Sequence, residues 1–224
     1  SLALLFVYLF FNSAKFQDFI VNRAVSGMLP PQFLDDKDSL RALVCGSRSP
    51  IPDMKRAEAC ILVEAGNDLY IFDTGNGSTV KLNNWGVPWG NLKGIFYTHL
   101  HSDHISEIAE VHLASWIQGN RKTKLPVYGP LGTKNLTDGI ELAYKKDYQF
   151  RYEHHGKEIA DPNAAGFKTT EIIYIDNPIV ETRDLKILPF IVPHDPVKPA
   201  LGYKIIYKDR SIVISGDTIY SEEV

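Results

Sequence analysis

Residues 98–104 (THLHSDH) concentrate side chains that can bind metal ions: His99, His101, Asp103 and His104. The segment directly follows the apolar run GIFY. Side chains on an extended strand repeat every two residues, so the first two histidines point to the same side. Neutral imidazole and carboxylate suit Zn²⁺, and also iron and manganese. Three of the seven histidines of the chain fall within this segment, which favours a metal site over an ordinary polar turn.

Two further candidate ligands follow apolar strands later in the chain. His194 comes after ILPFIVP, and Asp217 lies in SGDT after the run IVI. Ligands gather at strand ends in sheets covered by helices, so both side chains are expected beside the histidine cluster. Asp73, in FDTG, also ends a strand. We expect it to accept an N–H from a metal-bound histidine rather than to bind the ion.

The elements that must position these residues are short strands and helices in a globular chain. The 224 residues are 44% hydrophobic and 23% charged, with a formal net charge of −3. This composition excludes a disordered, collagen-like or coiled-coil chain, and the charge gives no overall footprint for nucleic acid. Periodicity predicts helices after residue 104 and over 133–147, and strands over 40–45, 59–64, 69–73, 94–99, 125–129, 185–192, 202–207 and 211–215. This order predicts a single α/β (α+β) domain.

The beginning of the chain has a different character. Residues 2–11 are an unbroken apolar run, too short to span a bilayer, and predict that residues 1–12 are a remnant of a signal peptide or membrane anchor. A buried segment of the fold is the alternative. Residues 13–39 are interpreted as a helix and a lead-in loop before the domain at 40–224. We therefore expect a periplasmic, secreted or membrane-anchored protein, with the cytoplasm as the alternative.

The two cysteines say little about the compartment or the function of the protein. Cys45 and Cys60 can pair across a hairpin in an oxidising compartment, or they can be two buried thiols. The sequence has no zinc-type cysteine pairs, so any metal must be held by histidine and carboxylate.

Three histidines outside the cluster have weaker assignments. His154 and His155 fall in a predicted loop, where His155 is a candidate contact for an anionic substrate and solvated surface is the alternative. His112 falls in the helical pattern after the cluster and is interpreted as structural.

Taken together, these motifs resemble a known family. The H-x-H-x-D-H cluster, the upstream D-T-G, the isolated histidine and the G-D-T after a strand resemble the metallo-β-lactamase fold. Segments 46–50, 98–105 and 128–133 are most similar to its ribonuclease Z and arylsulfatase-like branch. The resemblance implies a four-layer αββα sandwich from residue 40 onward.

The resemblance also implies two Zn²⁺ ions, with iron or manganese as alternatives. Carried over by motif, one ion would be held by His99, His101 and His194. Asp103 and His104 would hold the other, and Asp217 would bridge the two. Such a cation pair lowers the pKa of a water toward about 7 and offsets charge on the ester oxygen. Asp103 and Asp217 are then the predicted catalytic carboxylates.

Two departures from the family pattern affect the expectation. The last family ligand is a histidine well beyond G-D-T, and no histidine follows Asp217, so we expect the domain to be truncated at its C-terminus. Only 22 residues separate His194 from Asp217. The tRNA-gripping arm that many bacterial ribonuclease Z proteins insert there has no room.

The expected function is therefore a binuclear zinc hydrolase that cleaves sulfate esters or phosphodiesters. Its expected substrate is a small anionic ester. A ribonuclease Z-like enzyme that processes tRNA is the alternative, and a lactonase or a non-hydrolytic di-metal protein is the third interpretation. Further expected partners are a membrane, through the N-terminal apolar segment, and a second copy of the chain in a homodimer.

Overall fold

The computed structural model describes most of the predicted domain, namely residues 13, 17, 33–51, 53, 55–173, 175 and 177–221. The predicted signal or anchor segment and nearly all of the predicted N-terminal helix lie outside the described residues. Within the described ranges, no helix is long and apolar enough to cross a membrane.

The larger of two sheets contains six strands in chain order: β1 (Leu40–Gly46), β2 (Cys60–Ala65), β3 (Asp68–Phe72), β4 (Leu92–Phe96), β5 (Leu125–Gly129) and β6 (Phe167–Glu171). Strands β1 to β3 form an antiparallel meander. Strands β3 to β6 are parallel. The first five were predicted from apolar runs, although β4 ends at Phe96, three residues before the end of the predicted strand. Strand β6 (FKTTE) has no such run, because only Phe167 is buried and the other side chains are exposed or partly buried.

The smaller sheet is antiparallel, with strands in the order β10-β9-β8-β7. Its members are β7 (Val180–Glu181), β8 (Leu185–Val192), β9 (Ala200–Tyr207) and β10 (Arg210–Ile214). The predicted strands over 185–192, 202–207 and 211–215 are confirmed within two residues at each end. The two-residue strand β7 is too short to leave a periodic signal.

Four α-helices complete the described fold: α1 (Ser78–Asn84), α2 (Ser102–Ile105), α3 (Ile108–Leu113) and α4 (Thr133–Ile159). The predicted helix after residue 104 is present but interrupted, because α3 continues into a π-helical turn over Ala114–Gln118. Helix α1 was not predicted. Its N-terminus is capped by a residue far along the sequence: the Glu107 carboxylate accepts hydrogen bonds from the backbone N–H groups of Gly77 and Thr79.

Helix α4 corrects the prediction for the region after residue 147. His154 and His155 lie on this helix and not in a loop. The apolar periodicity fades there because the helix surface is polar, and pairs of side chains four residues apart stabilise it instead. These pairs are Lys134–Asp138, Asp147–Arg151 and Gln149–Glu153.

The six-stranded sheet is buried on both faces, which explains why its strands read as continuous apolar runs. Ile71 and Ile95 pack toward the helices, whereas their neighbours Phe72 and Phe96 pack against the smaller sheet. The Phe72 and Phe96 rings stack with centroids 4.9 Å apart, and Tyr203 of β9 meets the Phe96 ring edge-on at 5.7 Å. Helices, large sheet and small sheet thus stack in that order, which confirms the α/β class.

A disulfide joins β1 to β2 and decides between the two states left open for the cysteines. Cys45 and Cys60 are bonded to each other and buried. The strand register shifts beside them, between Val44 and Gly46. A Cβ at Gly46 would lie 1.6 Å from the carbonyl oxygen of Glu58, so only glycine allows the chain to pass this close.

His112 has the structural role that was predicted. It is buried, and its Nε2 accepts the backbone N–H of Gly166 at 2.9 Å. The rings of Trp116, Tyr148 and Phe167 surround it. Burial lowers its pKa from 6.5 to about 4, so the folded protein holds this ring neutral.

This buried imidazole should make the fold sensitive to acid. In the unfolded chain His112 is protonated below about pH 6.5, whereas in the folded chain it stays neutral down to about pH 4. The contribution of neutral His112 to the free energy of unfolding should be complete above pH 6.5. It should fall by up to about 3 kcal/mol as the pH drops toward 4. His112→Gln, which keeps an acceptor, should lose less. Urea unfolding of both proteins at pH 7 and pH 4.5 checks this; parallel losses would contradict it.

Candidate metal centre

Strand ends bring the predicted ligands to one place. Beyond β4 the chain passes through the loop that carries His99 and His101 and enters α2, which carries Asp103 and His104. Strands β8 and β10 end just before His194 and Asp217. The Leu201 N–H of β9 donates to the Thr98 carbonyl at 2.8 Å and ties the smaller sheet to this loop.

His99, His101 and His194 form the first candidate ligand group. One ring nitrogen from each lies within 4.8 Å of the others. His99 Nε2 lies 2.8 Å from His101 Nδ1. His194 Nε2 is buried and has no hydrogen-bond partner among the described residues. Converging imidazole nitrogens and an unpartnered buried nitrogen fit a cation of the Zn²⁺ type.

A second group consists of His99, His104 and Asp217, again with ligand atoms within 4.8 Å of one another. His104 Nε2 lies 3.6 Å from Asp217 Oδ1 and 3.7 Å from Asp103 Oδ2. Asp103 is therefore beside this group without being one of its members. All six predicted ligands meet at the same edge of the two sheets, and His99 belongs to both groups. Their roles as ligands stay predictions.

The buried Asp73 carboxylate lies behind the ligands, as its predicted role requires. Asp73 has a left-handed backbone, with φ 61°. Its Oδ1 accepts the Thr98 backbone N–H at 2.9 Å. Its Oδ2 lies 2.8 Å from Thr98 Oγ1 and 2.9 Å from His104 Nδ1. The bond to Nδ1 leaves Nε2 of His104 facing the carboxylates of Asp217 and Asp103.

Charges around the cluster differ between its histidines. Burial, with the nearby His104, lowers the pKa of His99 to about 3. Burial also lowers the pKa of His104, but the carboxylates of Asp217 and Asp73 outweigh it and raise that pKa to about 10. The same contact lowers the pKa of Asp217. A cation that binds at His104 Nε2 therefore displaces a proton from this ring.

A cavity of about 450 Å³ opens beside the second group. Asp103, His104 and Asp217 line one side of it, and the loop after β1 with Arg48 lines another. The Arg48 guanidinium pairs with Glu58 at 3.1 Å, and its Nε is buried without a partner among the described residues. Sequence reasoning missed Arg48 as a site residue, although the motif at 46–50 contains it.

The structure does not bring His155 into the cluster. Its side chain is exposed on α4, and its ring stacks on that of His154 with centroids 4.6 Å apart. It belongs to neither ligand group. The prediction of a substrate contact placed His155 in a loop that could reach the site, whereas the structure places it on a helix.

The fold and the ligand pattern define a class of protein. The chain belongs to the metallo-beta-lactamase superfamily, whose pattern matches residues 55–224.

Its relatives support the ribonuclease Z branch of that superfamily. The chain is 30% identical over 181 residues to a protein named ribonuclease Z from Mycobacterium sp. (strain KMS), covering 80% of this chain and 62% of the relative. The chain thus spans about three fifths of the length of the curated relatives that it matches.

Solved structures show the same fold at low identity. Human tRNase Z, short form, is 20% identical with a TM-score of 0.59, covering 79% of this chain and 68% of that chain. The metallo-beta-lactamase fold protein YhfI from Bacillus subtilis is 19% identical, also with a TM-score of 0.59, covering 82% of this chain and 65% of that chain.

The shared position of His99 predicts an uneven effect of removing ligands. His99→Ala should remove the cation held with His101 and His194 and also weaken binding of the second, because this ring lies within 4.8 Å of the ligand atoms of both groups although its one unprotonated nitrogen binds a single ion. His194→Ala should remove one cation and leave the group of His104 and Asp217. His155→Ala, as a control, should keep the wild-type metal content. Metal analysis after zinc loading and dialysis checks this; equal losses in the first two variants would contradict an effect of His99 on both groups.

Proposed function

We propose that the protein is a metal-dependent hydrolase of phosphodiester bonds, with RNA as its substrate class. The observation that carries the proposal is the pair of ligand groups joined through His99 at the edge of the two sheets. The similarity to proteins named ribonuclease Z supports phosphodiester over sulfate-ester cleavage, so the proposal does not retain the expected arylsulfatase activity.

The residues divide the chemical work. His99, His101 and His194 would hold one divalent cation, and His104 with Asp217 the other. Such cations supply water activation and charge neutralisation at the phosphate. Asp73 fixes the His104 ring through Nδ1.

Carboxylates would handle the proton of the attacking water. Asp103 Oδ2 and Asp217 Oδ1 lie 3.7 and 3.6 Å from His104 Nε2, so both carboxylates lie beside the nitrogen that would bind a cation. Carboxylates in such positions can orient a water molecule and accept its proton. No serine or cysteine nucleophile is required for this reaction.

A small phosphodiester is the second candidate substrate. The residues between His194 and Asp217 are folded into β9, β10 and a tight turn, where Lys208 has φ 55°. No long insertion for gripping tRNA is present between these two residues. This observation favours a compact diester over a whole tRNA.

A panel assay on the zinc-loaded protein tests the proposal. Its substrates should be a precursor tRNA with a 3′ trailer, bis(p-nitrophenyl) phosphate, p-nitrophenyl sulfate and a lactone. We expect phosphodiester cleavage that a chelator abolishes, and Asp217→Ala should reduce it at least about 100-fold. Cleavage of the sulfate or lactone without either phosphodiester would overturn the proposal. Turnover of the small diester alone would select the second candidate.

Arg48 should contribute to substrate binding from the wall of the cavity. A hydrogen bond to a charged group contributes about 1.5–3 kcal/mol, so Arg48→Gln should lower kcat/KM for the cleaved phosphodiester about tenfold or more, mainly through KM. Metal content should not change.

Arg56→Gln is the matched control, since Arg56 pairs with Asp53 outside the cavity lining. Equal kinetic effects of the two variants would show a general charge effect instead of a contact at Arg48.

A further inference from the structure

The Thr98 side chain contacts both the buried carboxylate of Asp73 and two histidines of the centre. It is 1% exposed, and its Oγ1 lies 2.8 Å from Asp73 Oδ2 and 3.1 Å from His99 Nδ1. The same oxygen lies 3.5 Å from His104 Nδ1, at the limit of a hydrogen bond. One hydroxyl thus contacts histidines of both ligand groups.

The direction of these hydrogen bonds follows from counting protons. A hydroxyl has one proton to donate, and Thr98 Oγ1 is the donor in its hydrogen bond to the Asp73 carboxylate. The Thr98 proton therefore goes to Asp73 Oδ2, and Thr98 Oγ1 must accept a proton from His99 Nδ1. Nε2 of His99 is then left with its lone pair, directed at His101 Nδ1 at 2.8 Å.

The loop that carries Asp217 also rests on this side chain. Gly216 has φ 62°, and a Cβ there would lie 2.7 Å from Thr98 Cβ. The backbone before Asp217 thus packs directly on the threonine. Contacts to His99, to Asp73 behind His104, and to the Asp217 loop all pass through one residue.

We propose that Thr98 is a positioning residue that couples the two ligand groups: its hydroxyl holds His99 in the Nδ1–H tautomer and shares the Asp73 carboxylate with His104. The inference rests on the metal site of the proposed function, but it concerns binding of the cations and not turnover. Partners behind metal-binding histidines typically contribute 10- to 100-fold in metal affinity.

The test compares three variants by Zn²⁺ affinity, in competition with a chromophoric chelator, and by the visible spectrum of the Co²⁺ form. Thr98→Val, which keeps the shape without the hydroxyl, should weaken Zn²⁺ binding about 10- to 100-fold and alter the spectrum. Thr98→Ser should recover most of that loss. Thr74→Val is the matched control, because its buried hydroxyl bonds to Tyr97 Oη at 2.8 Å and to no histidine.

A measurement on the wild-type protein keeps the inference testable if Thr98→Val fails to fold. Long-range ¹H–¹⁵N correlation, with and without Zn²⁺, should show the His99 proton on Nδ1. A proton on Nε2, or a Thr98→Val variant that binds Zn²⁺ as tightly as wild type, would overturn the role of Thr98. Wild-type protein that binds no Zn²⁺ while His99 keeps the Nδ1–H tautomer would instead count against the proposed function alone.

Discussion

The arrangement of this centre depends on the buried Asp73 carboxylate, whose oxygens need hydrogen-bond donors. Burial raises the pKa of the Asp73 carboxyl group, and three donors oppose that effect: the His104 ring, the Thr98 backbone N–H and the Thr98 hydroxyl. Those donors belong to the segment after β4, whereas Asp73 follows β3, so the two parallel strands must end side by side. Their pairing, with Phe72 opposite Phe96, provides this alignment. The hydrogen bonds that Asp73 needs in the interior therefore also orient the candidate ligand His104.

The ligands themselves were predictable because their signals are local. The segment H-x-H-x-D-H just after an apolar strand places four donors within six residues, and His194 and Asp217 each follow an apolar run that predicts a strand. The alternation of Ile71 with Phe72 and of Ile95 with Phe96 between two cores explains why the strands before Asp73 and before the histidine cluster are continuous apolar runs.

What could not be predicted depends on contacts between distant segments. The contact of Arg48 with Glu58 requires the bulge beside the disulfide, and the sharing of His99 by two groups depends on how two loops meet. The length of helix α4 was underestimated because pairs of polar side chains stabilise it, and a sequence rich in polar residues resembles that of a loop. The role of Thr98 was hidden for a similar reason, since a threonine in front of a histidine has no distinctive pattern until its neighbours are known.

The covalent link between Cys45 and Cys60 has a consequence for the mouth of the cavity. It spans a sequence separation of 15 residues, and closing such a loop lowers the entropy of the unfolded chain by an amount equivalent to about 3 kcal/mol. The disulfide fixes both ends of the segment that carries Arg48 and Glu58, and the ion pair between these two residues, at 3.1 Å, restrains the rim further. A rim with little freedom left to lose can hold an anion at small entropic cost, and it will tolerate differently shaped ligands less well than an open loop would.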